Sequence, residues 1–244
     1  DSIPADRQTL LFSATFPKTI QSIANKIMKQ PEMVEAKSAH TNDTIAQHFY
    51  KVEDDQQRIE ALRLLLLEYQ PDTSVVFCNT KKEVQEVTNI LCNYGFSAVA
   101  LHGDLEQRDR DQTLVRFANN SASVMVATDV AARGLDIDTL DAVFNYHIAR
   151  DSEIHVHRIG RTGRAGSKGI ACSLYSSKES YKVGLLEDYL DRSIEGDVLP
   201  DTSVLSRTPN VPLMTTLQLD AGKKQKIRPG DILGALTGEN GIAG

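Results

Sequence analysis

Seven short stretches constrain what this chain can become. "TLLFSAT" (9–15), "IAQHFYKV" (45–52), "SVVFCNT" (74–80), "SAVALHG" (97–103), "SVMVATD" (123–129), "DAVFNYH" (141–147) and "GIACSLYS" (169–176) are apolar and rich in β-branched residues. Stretches of that kind read as strands. Helical periods alternate with them. "KTIQSIANKIMKQ" (18–30) sets Ile20, Ile23, Ala24, Ile27 and Met28 on one face. "QQRIEALRLLLLEY" (56–69) and "KKEVQEVTNILCNYG" (81–95) do likewise, the second ending at Gly95 as a helix C-terminus should. "EQRDRDQTLVRFANN" (106–120) and "SKESYKVGLLEDYLDR" (177–192) complete the series. Near-continuous apolar strands alternating with helices imply a parallel sheet covered on both faces. In open sheets of this kind ligands bind beyond the carboxyl ends of the strands. That directs attention to Asn79–Thr80, His102–Gly103–Asp104 and Thr128–Asp129.

The pattern fails at "EGDVLPDTSVLSRTPNVP" (195–212), whose three prolines and many turn formers read as a linker. Beyond it, "LMTTLQLDAGKKQKIRPGDILGALTGENGIAG" (213–244) predicts one strand, a basic turn and a helix opening at Pro229–Gly230–Asp231, with Gly238 past its end. One strand and one helix cannot bury a core, so this piece reads as the beginning of a further domain, cut short.

Composition removes several classes. The 244 residues are 41% hydrophobic, enough for a sizeable core. No apolar run reaches the roughly 18–20 residues of a membrane span; the longest, "ALRLLLLEY", is broken by Arg63 and Glu68. The start, "DSIPADRQ", has no basic n-region or apolar h-region. Cys78, Cys92 and Cys172 form no C-x-x-C pair, which argues against zinc or a disulfide framework. The expectation is a cytoplasmic protein with no membrane partner and no metal ligands of its own. The net charge of −6 leaves no overall basic field, so any nucleic-acid contact has to come from local clusters.

One such cluster is "HRIGRTGRAG" (157–166), in which Arg158, Arg161 and Arg164 share a three-residue beat with Gly160, Gly163 and Gly166. If helical, the arginines lie roughly on one face. The plain reading is a solvated basic turn; the functional one is a phosphate site, since the guanidinium fork donates in pairs and keeps its charge. "VMVATDVAARGLDI" (124–137) ends a strand at Thr128–Asp129 and continues through Arg133, Gly134 and Asp136. It offers a hydroxyl and amides to a phosphate and a carboxylate to a sugar, or simply a capped strand end. In "VVFCNTKKE" (75–83), Thr80 and Glu83 form a capping box, a geometry that also points a hydroxyl and helix-start amides at an anion. In "LHGDLEQRDRDQTLVRF" (101–117), Asp104 is placed to cap a helix, Gln107 and Arg110 to face a ligand, and His102 to be structural. A G-x-x-x-x-G-K-[ST] phosphate loop is missing, as is a D-E-A-D strand end for magnesium. The arginines have no phosphate cradle in this chain.

Taken together, "SAT" (13–15), "VVFCNT", "LHGD…QRDR", "VATDVAARGLDI" and "HRIGRTGRAG" resemble, in order and spacing, the motifs of DEAD-box ATP-dependent RNA helicases over about residues 7–190. The resemblance implies a RecA-like parallel sheet, the second of two helicase domains. The implied boundaries are 1–37 for the end of the first domain and an interdomain linker, 38–195 for the second, 196–212 for a linker and 213–244 for an incomplete RNA-recognition-motif-like piece. The tail is similar to that of the bacterial DEAD-box protein A group, which implies a ribosomal RNA target and a part in large-subunit ribosome assembly.

By the same resemblance, Arg161 and Arg164 would reach the γ-phosphate of ATP and Asp136, beside Gly134, the ribose. Thr80, Gly103, Arg110 and Thr128 would touch RNA phosphates. Ser13, Thr15 and His157 would couple ATP state to domain closure. Phosphate cradle and Mg2+ site would belong to an N-terminal RecA-like domain, leaving this stretch inactive by itself. The rival readings are a non-catalytic RNA-binding module and a DNA helicase or translocase domain.

Overall fold

The computed structural model describes residues 4, 6–12, 18–34, 44–132, 140–163 and 168–238. The chain divides into two units, Asp1–Ala39 and His40–Gly244.

In the first unit, helix α1 (Lys18–Ile27) buries Ala24, while Ile23 and Ile27 stay exposed. The strand expected at 9–15 is not formed over residues 9–12, and 13–15 lie outside the described residues. A strand needs a neighbour to satisfy its backbone, and no other strand is described within this unit.

The second unit is built on six parallel strands: β1 (Ile45–Val52), β2 (Ser74–Cys78), β3 (Ala98–Leu101), β4 (Val124–Thr128), β5 (Ala142–Asn145) and β6 (Gly169–Ser176). Their order is β1-β6-β5-β2-β4-β3. Helices α2 (Asp55–Tyr69) and α3 (Lys81–Asn93) cover one face, where Leu62, Leu65, Val84 and Leu91 meet Val76, Val126 and Phe144. The other face carries α4 (Gln107–Ala118), the single turn α5 (Asp129–Ala132), α6 (Ser152–Ile159) and α7 (Ser180–Leu190). There Phe117 packs with Phe77 and Met125, and Leu186 with Phe49. Alternate strand residues thus feed two cores, as the period of two requires.

The run Leu64–Leu67 is buried at all four positions, which one helix face cannot achieve. The second cover is the stretch read as a linker. Residues 197–210 lie across the outer side of α2, with Val204 buried in a 3-10 turn (Thr202–Ser206). Arg207 pairs with Glu68 at 2.7 Å, and Asn210 Nδ2 donates to the Gln70 carbonyl at 2.8 Å. At the β1 edge, Asp197 N donates to the Phe49 carbonyl at 2.7 Å, and its carboxylate accepts from Phe49 N at 2.9 Å. The strand expected between the linker and the basic turn does not form; residues 213–220 are irregular. Side chains tie that segment down instead: Thr216 bonds Asn119 and Ser121, and Asp220 pairs with Arg108 at 2.7 Å. Helix α8 (Pro229–Thr237) begins with the expected proline and ends at Gly238.

Gly169 shows how closely the β6 start is packed. A Cβ there would sit 2.2 Å from Thr162 Oγ1 and 2.5 Å from Gly163 N. Thr162 cannot retreat, because its hydroxyl donates to the Leu140 carbonyl. Gly169→Ala is expected to destabilise this unit by about 1–3 kcal/mol, read as a lowered denaturant midpoint with an unchanged m-value.

Candidate nucleic-acid interface

Three adjacent strands end in register: Cys78 pairs with Thr128, and Leu101 with Ala127. Residues just past these ends therefore share one edge. Thr80 is extended (φ −131°, ψ 152°) and caps α3, its hydroxyl accepting from Glu83 N at 3.2 Å. Glu83 returns a carboxylate oxygen to Asn79 N at 3.1 Å, one residue earlier than the expected box. The cap leaves Thr80 exposed. Gly103 is also exposed, and a Cβ there would meet only the Lys81 side chain, at 3.8 Å, so packing does not demand glycine. Thr128 is half-buried at the end of β4. Arg110 reaches from α4 to the Ala131 carbonyl at 2.9 Å, tying α4 to α5.

Asp104 does not cap α4; the cap position is Glu106, without a side-chain bond. The Asp104 carboxylate is engaged by Lys81 instead, which links the β2 and β3 ends. Gln107 turns along its own helix to Asp111 at 2.7 Å. His102 is buried and receives Asp104 N on Nδ1 at 3.3 Å, a structural role.

The three arginines do not share a helical face. Helix α6 stops at Ile159, with Gly160 as its C-cap. Arg158, inside the helix, is 2% exposed and meets both oxygens of Asp129, at 2.6 and 2.8 Å. It also donates to Asn145 Oδ1 at 3.2 Å, the His147 carbonyl at 2.9 Å and Asn79 Oδ1 at 3.3 Å. Arg158 thus cross-braces the ends of β2, β4 and β5. Arg161 lies past the cap, half-buried, its carbonyl accepting from Leu140 N at 3.3 Å. Leu140 precedes β5, so the Arg161 backbone sits toward the amino end of that strand, whereas Thr80, Gly103 and Thr128 gather at the carboxyl ends. His157 is exposed in the last turn of α6. Ser13, Thr15, Gly134, Asp136 and Arg164 lie outside the described residues.

A second cluster at the same edge was not singled out from sequence. Arg58, 2% exposed, donates to the Tyr146 carbonyl at 2.6 Å, the Leu174 carbonyl at 3.2 Å and Glu179 Oε2 at 2.6 Å. His147 lies between Glu83 and Glu179. Burial alone would raise the Glu179 carboxyl. Its bonds to His147, Ser176 N and Arg58 reverse that and hold it far below the usual carboxylate range. The strand-end rule that flagged Thr80 and Thr128, applied to β5 and β6, points to His147 and Glu179. Elsewhere, burial pushes the Cys78 and Cys172 thiols up, making them inert. Among the described residues no group could hold a metal ion, and no helix is long and apolar enough to cross a membrane.

Sheet order and covering helices are those of a RecA-like domain, and similarity to known proteins identifies it as the C-terminal domain of a helicase. The family description "Helicase conserved C-terminal domain" matches residues 57–166, and "DbpA RNA binding domain" matches 216–244. The chain is 50% identical over 241 residues to the ATP-dependent RNA helicase DbpA of Escherichia coli (strain K12), covering 99% of this chain and 52% of that protein. It is 44% identical over 196 residues to the DEAD-box ATP-dependent RNA helicase RhpA of Helicobacter pylori, covering 80% and 40%. Among solved structures, the E. coli DEAD-box protein SrmB bound to the regulator of ribonuclease activity RraA matches with a TM-score of 0.61 at 34% identity, covering 68% of this chain and 98% of that one. Dbp5 of S. cerevisiae bound to RNA and ADP BeF3 matches with a TM-score of 0.71 at 31% identity, covering 80% and 52%. The chain belongs to the DEAD-box family. It spans about half the length of the curated relatives it matches.

Proposed function

We propose that this chain is the C-terminal half of an ATP-dependent RNA helicase, and that its carboxyl-end edge grips an RNA strand by its phosphates. The observation that carries the reading is the convergence of Thr80, Gly103 and Thr128 at the carboxyl ends of three registered strands, with Arg110 behind them. Hydroxyls, helix-start amides and one guanidinium hold a backbone and carry no base-edge code. Arg161 and Arg164 are proposed to stabilise charge on the γ-phosphate, and Asp136, beside Gly134, to hold the ribose. Ser13, Thr15 and His157 are proposed to transmit closure.

In this reading the other RecA-like domain supplies the phosphate cradle and the Mg2+ ligands. Closure of the two domains around ATP then bends the bound strand and opens a duplex locally. A ribosomal RNA target, a part in ribosome assembly and a cytoplasmic setting complete the proposal, supported by the stretch matching the DbpA RNA binding domain.

The deciding experiment measures ATP turnover of the full-length protein with single-stranded RNA, with DNA and with neither. RNA-selective stimulation is expected. Equal activation by DNA favours a translocase, and RNA binding without turnover favours a non-catalytic module. Arg110→Gln in the same protein should weaken binding about equally across RNA sequences. It should also lower the slope of log affinity against log salt by about 0.7, one phosphate contact on a single strand. An unchanged slope would remove Arg110 from the interface.

A further inference from the structure

His147 bonds to two elements that lie far apart in sequence, α3 and the turn between β6 and α7. Its Nε2 lies 2.6 Å from Glu83 Oε1, in the first turn of α3. Its Nδ1 lies 3.1 Å from Glu179 Oε1, in the turn between β6 and α7. A neutral imidazole carries one N–H, and an ionised carboxylate only accepts. Two ring–carboxylate bonds therefore need a proton on each ring nitrogen or on one carboxyl group. The second choice conflicts with the other partners. Glu83 Oε2 accepts from Asn79 N, and Glu179 Oε2 accepts from Arg58 at 2.6 Å and from Ser176 N at 3.0 Å. Each of these donors favours an anionic carboxylate.

We infer that His147 is an imidazolium that holds the Asn79–Thr80 corner to the Glu179 turn, and that its charge makes the grip of this edge on RNA pH-dependent. The inference rests on the RNA reading above. Glu83 is the link: the carboxylate that His147 clamps also fixes Asn79 N, and Glu83 N is the donor that caps onto Thr80. His147 is a positioning residue, not a contact.

The two carboxylates that touch the ring favour its proton, and the nearby cations oppose it. Facing the ring are Glu83 from α3 and Glu179 from the turn; Arg58 from α2 opposes its charge. Lys182 from α7 sits 3.7 Å from Glu179, and Arg158 from α6 donates to the His147 carbonyl with Asp129 behind it. The Tyr146 ring on β5 meets the imidazole edge-on at 5.2 Å. Burial works against the proton, the two carboxylate bonds work for it, and the balance raises the ring above its ordinary 6.5. The charged clamp is then complete below that value and lost as pH rises through the raised one. Losing the proton sets an imidazole lone pair against a carboxylate.

The test uses the full-length protein. NMR of the imidazole nitrogens, with the His147 signals assigned by His147→Gln, should show both protonated at neutral pH and a midpoint above the ordinary value. Affinity for a labelled single-stranded RNA at fixed salt should fall several-fold between about pH 6.5 and about pH 8.5. The His147→Gln profile should lack that step. His147→Arg, which keeps the charge, should bind without it at the tighter level. A midpoint at or below the ordinary value overturns the inference, as does an identical step in wild type and His147→Gln. If His147→Gln does not fold, the wild-type midpoint and the His147→Arg profile decide. No RNA binding at any pH sinks the RNA reading, and the coupling with it, while the ring titration still reports the clamp.

Discussion

Arg161→Ala in the full-length protein is expected to cut RNA-stimulated ATP turnover by roughly 10³-fold or more, while RNA binding at low salt persists. Arginines placed on a transferring phosphoryl group contribute roughly 10³–10⁵ in rate in other enzymes. The separation of effects follows from the fold. The Arg161 backbone bonds ahead of β5, whereas Thr80, Gly103 and Thr128 stand at or past the opposite ends of their strands. Losing one side chain there leaves the edge proposed for RNA untouched. Arg161→Lys should recover little, because a point charge cannot reproduce the planar fork. Turnover within a few-fold of wild type for Arg161→Ala would refute the assignment.

The second large effect is on stability. Arg58→Met should cost about 3–5 kcal/mol, because it leaves the Glu179 carboxylate and the Tyr146 and Leu174 carbonyls without their buried donor. Methionine fills similar space, so the loss reports unpaired polar groups and not a cavity. Acid behaviour should change with it. The carboxyl of Glu179 is depressed in the folded state, so its contribution is present above its ordinary 4.5 and lost as pH falls toward the folded value. Without Arg58 that acid-side loss should shrink. Urea midpoints at about pH 7 and about pH 4 would measure both effects; a neutral-pH loss under about 1 kcal/mol would show that the buried pair is dispensable.

Much of this architecture was legible from residue pattern. β1 and β6 coincide with the stretches read as strands, and β2 to β5 lie within theirs, because strands buried on both faces must be continuously apolar. The two strand readings that failed share a cause. Residues 9–12 and 213–220 have strand-like composition, but a strand depends on a neighbour that composition does not reveal. The stretch at 195–212 read as a connection because prolines and turn formers suit both a free linker and a strap; the four consecutive leucines Leu64–Leu67 of α2, all buried, were the sign that something covers its outer side.

At the site, Thr80 was legible as a cap because cap and helix are adjacent in sequence. The clamp was not: His147 meets Glu83 across 64 residues and Glu179 across 32. The arginine beat could not show where α6 ends, and that ending separates a buried brace, Arg158, from Arg161.

Asp197 has a consequence of a different kind. β1 is the outermost strand of the sheet, and a bare outermost strand invites another molecule to pair with it. At Phe49 both backbone groups are already taken, one by the Asp197 carboxylate and one by its amide. An incoming strand would have to displace that carboxylate and lie beside its charge. The residue that tethers the strap is thereby also a guard against edge-to-edge aggregation.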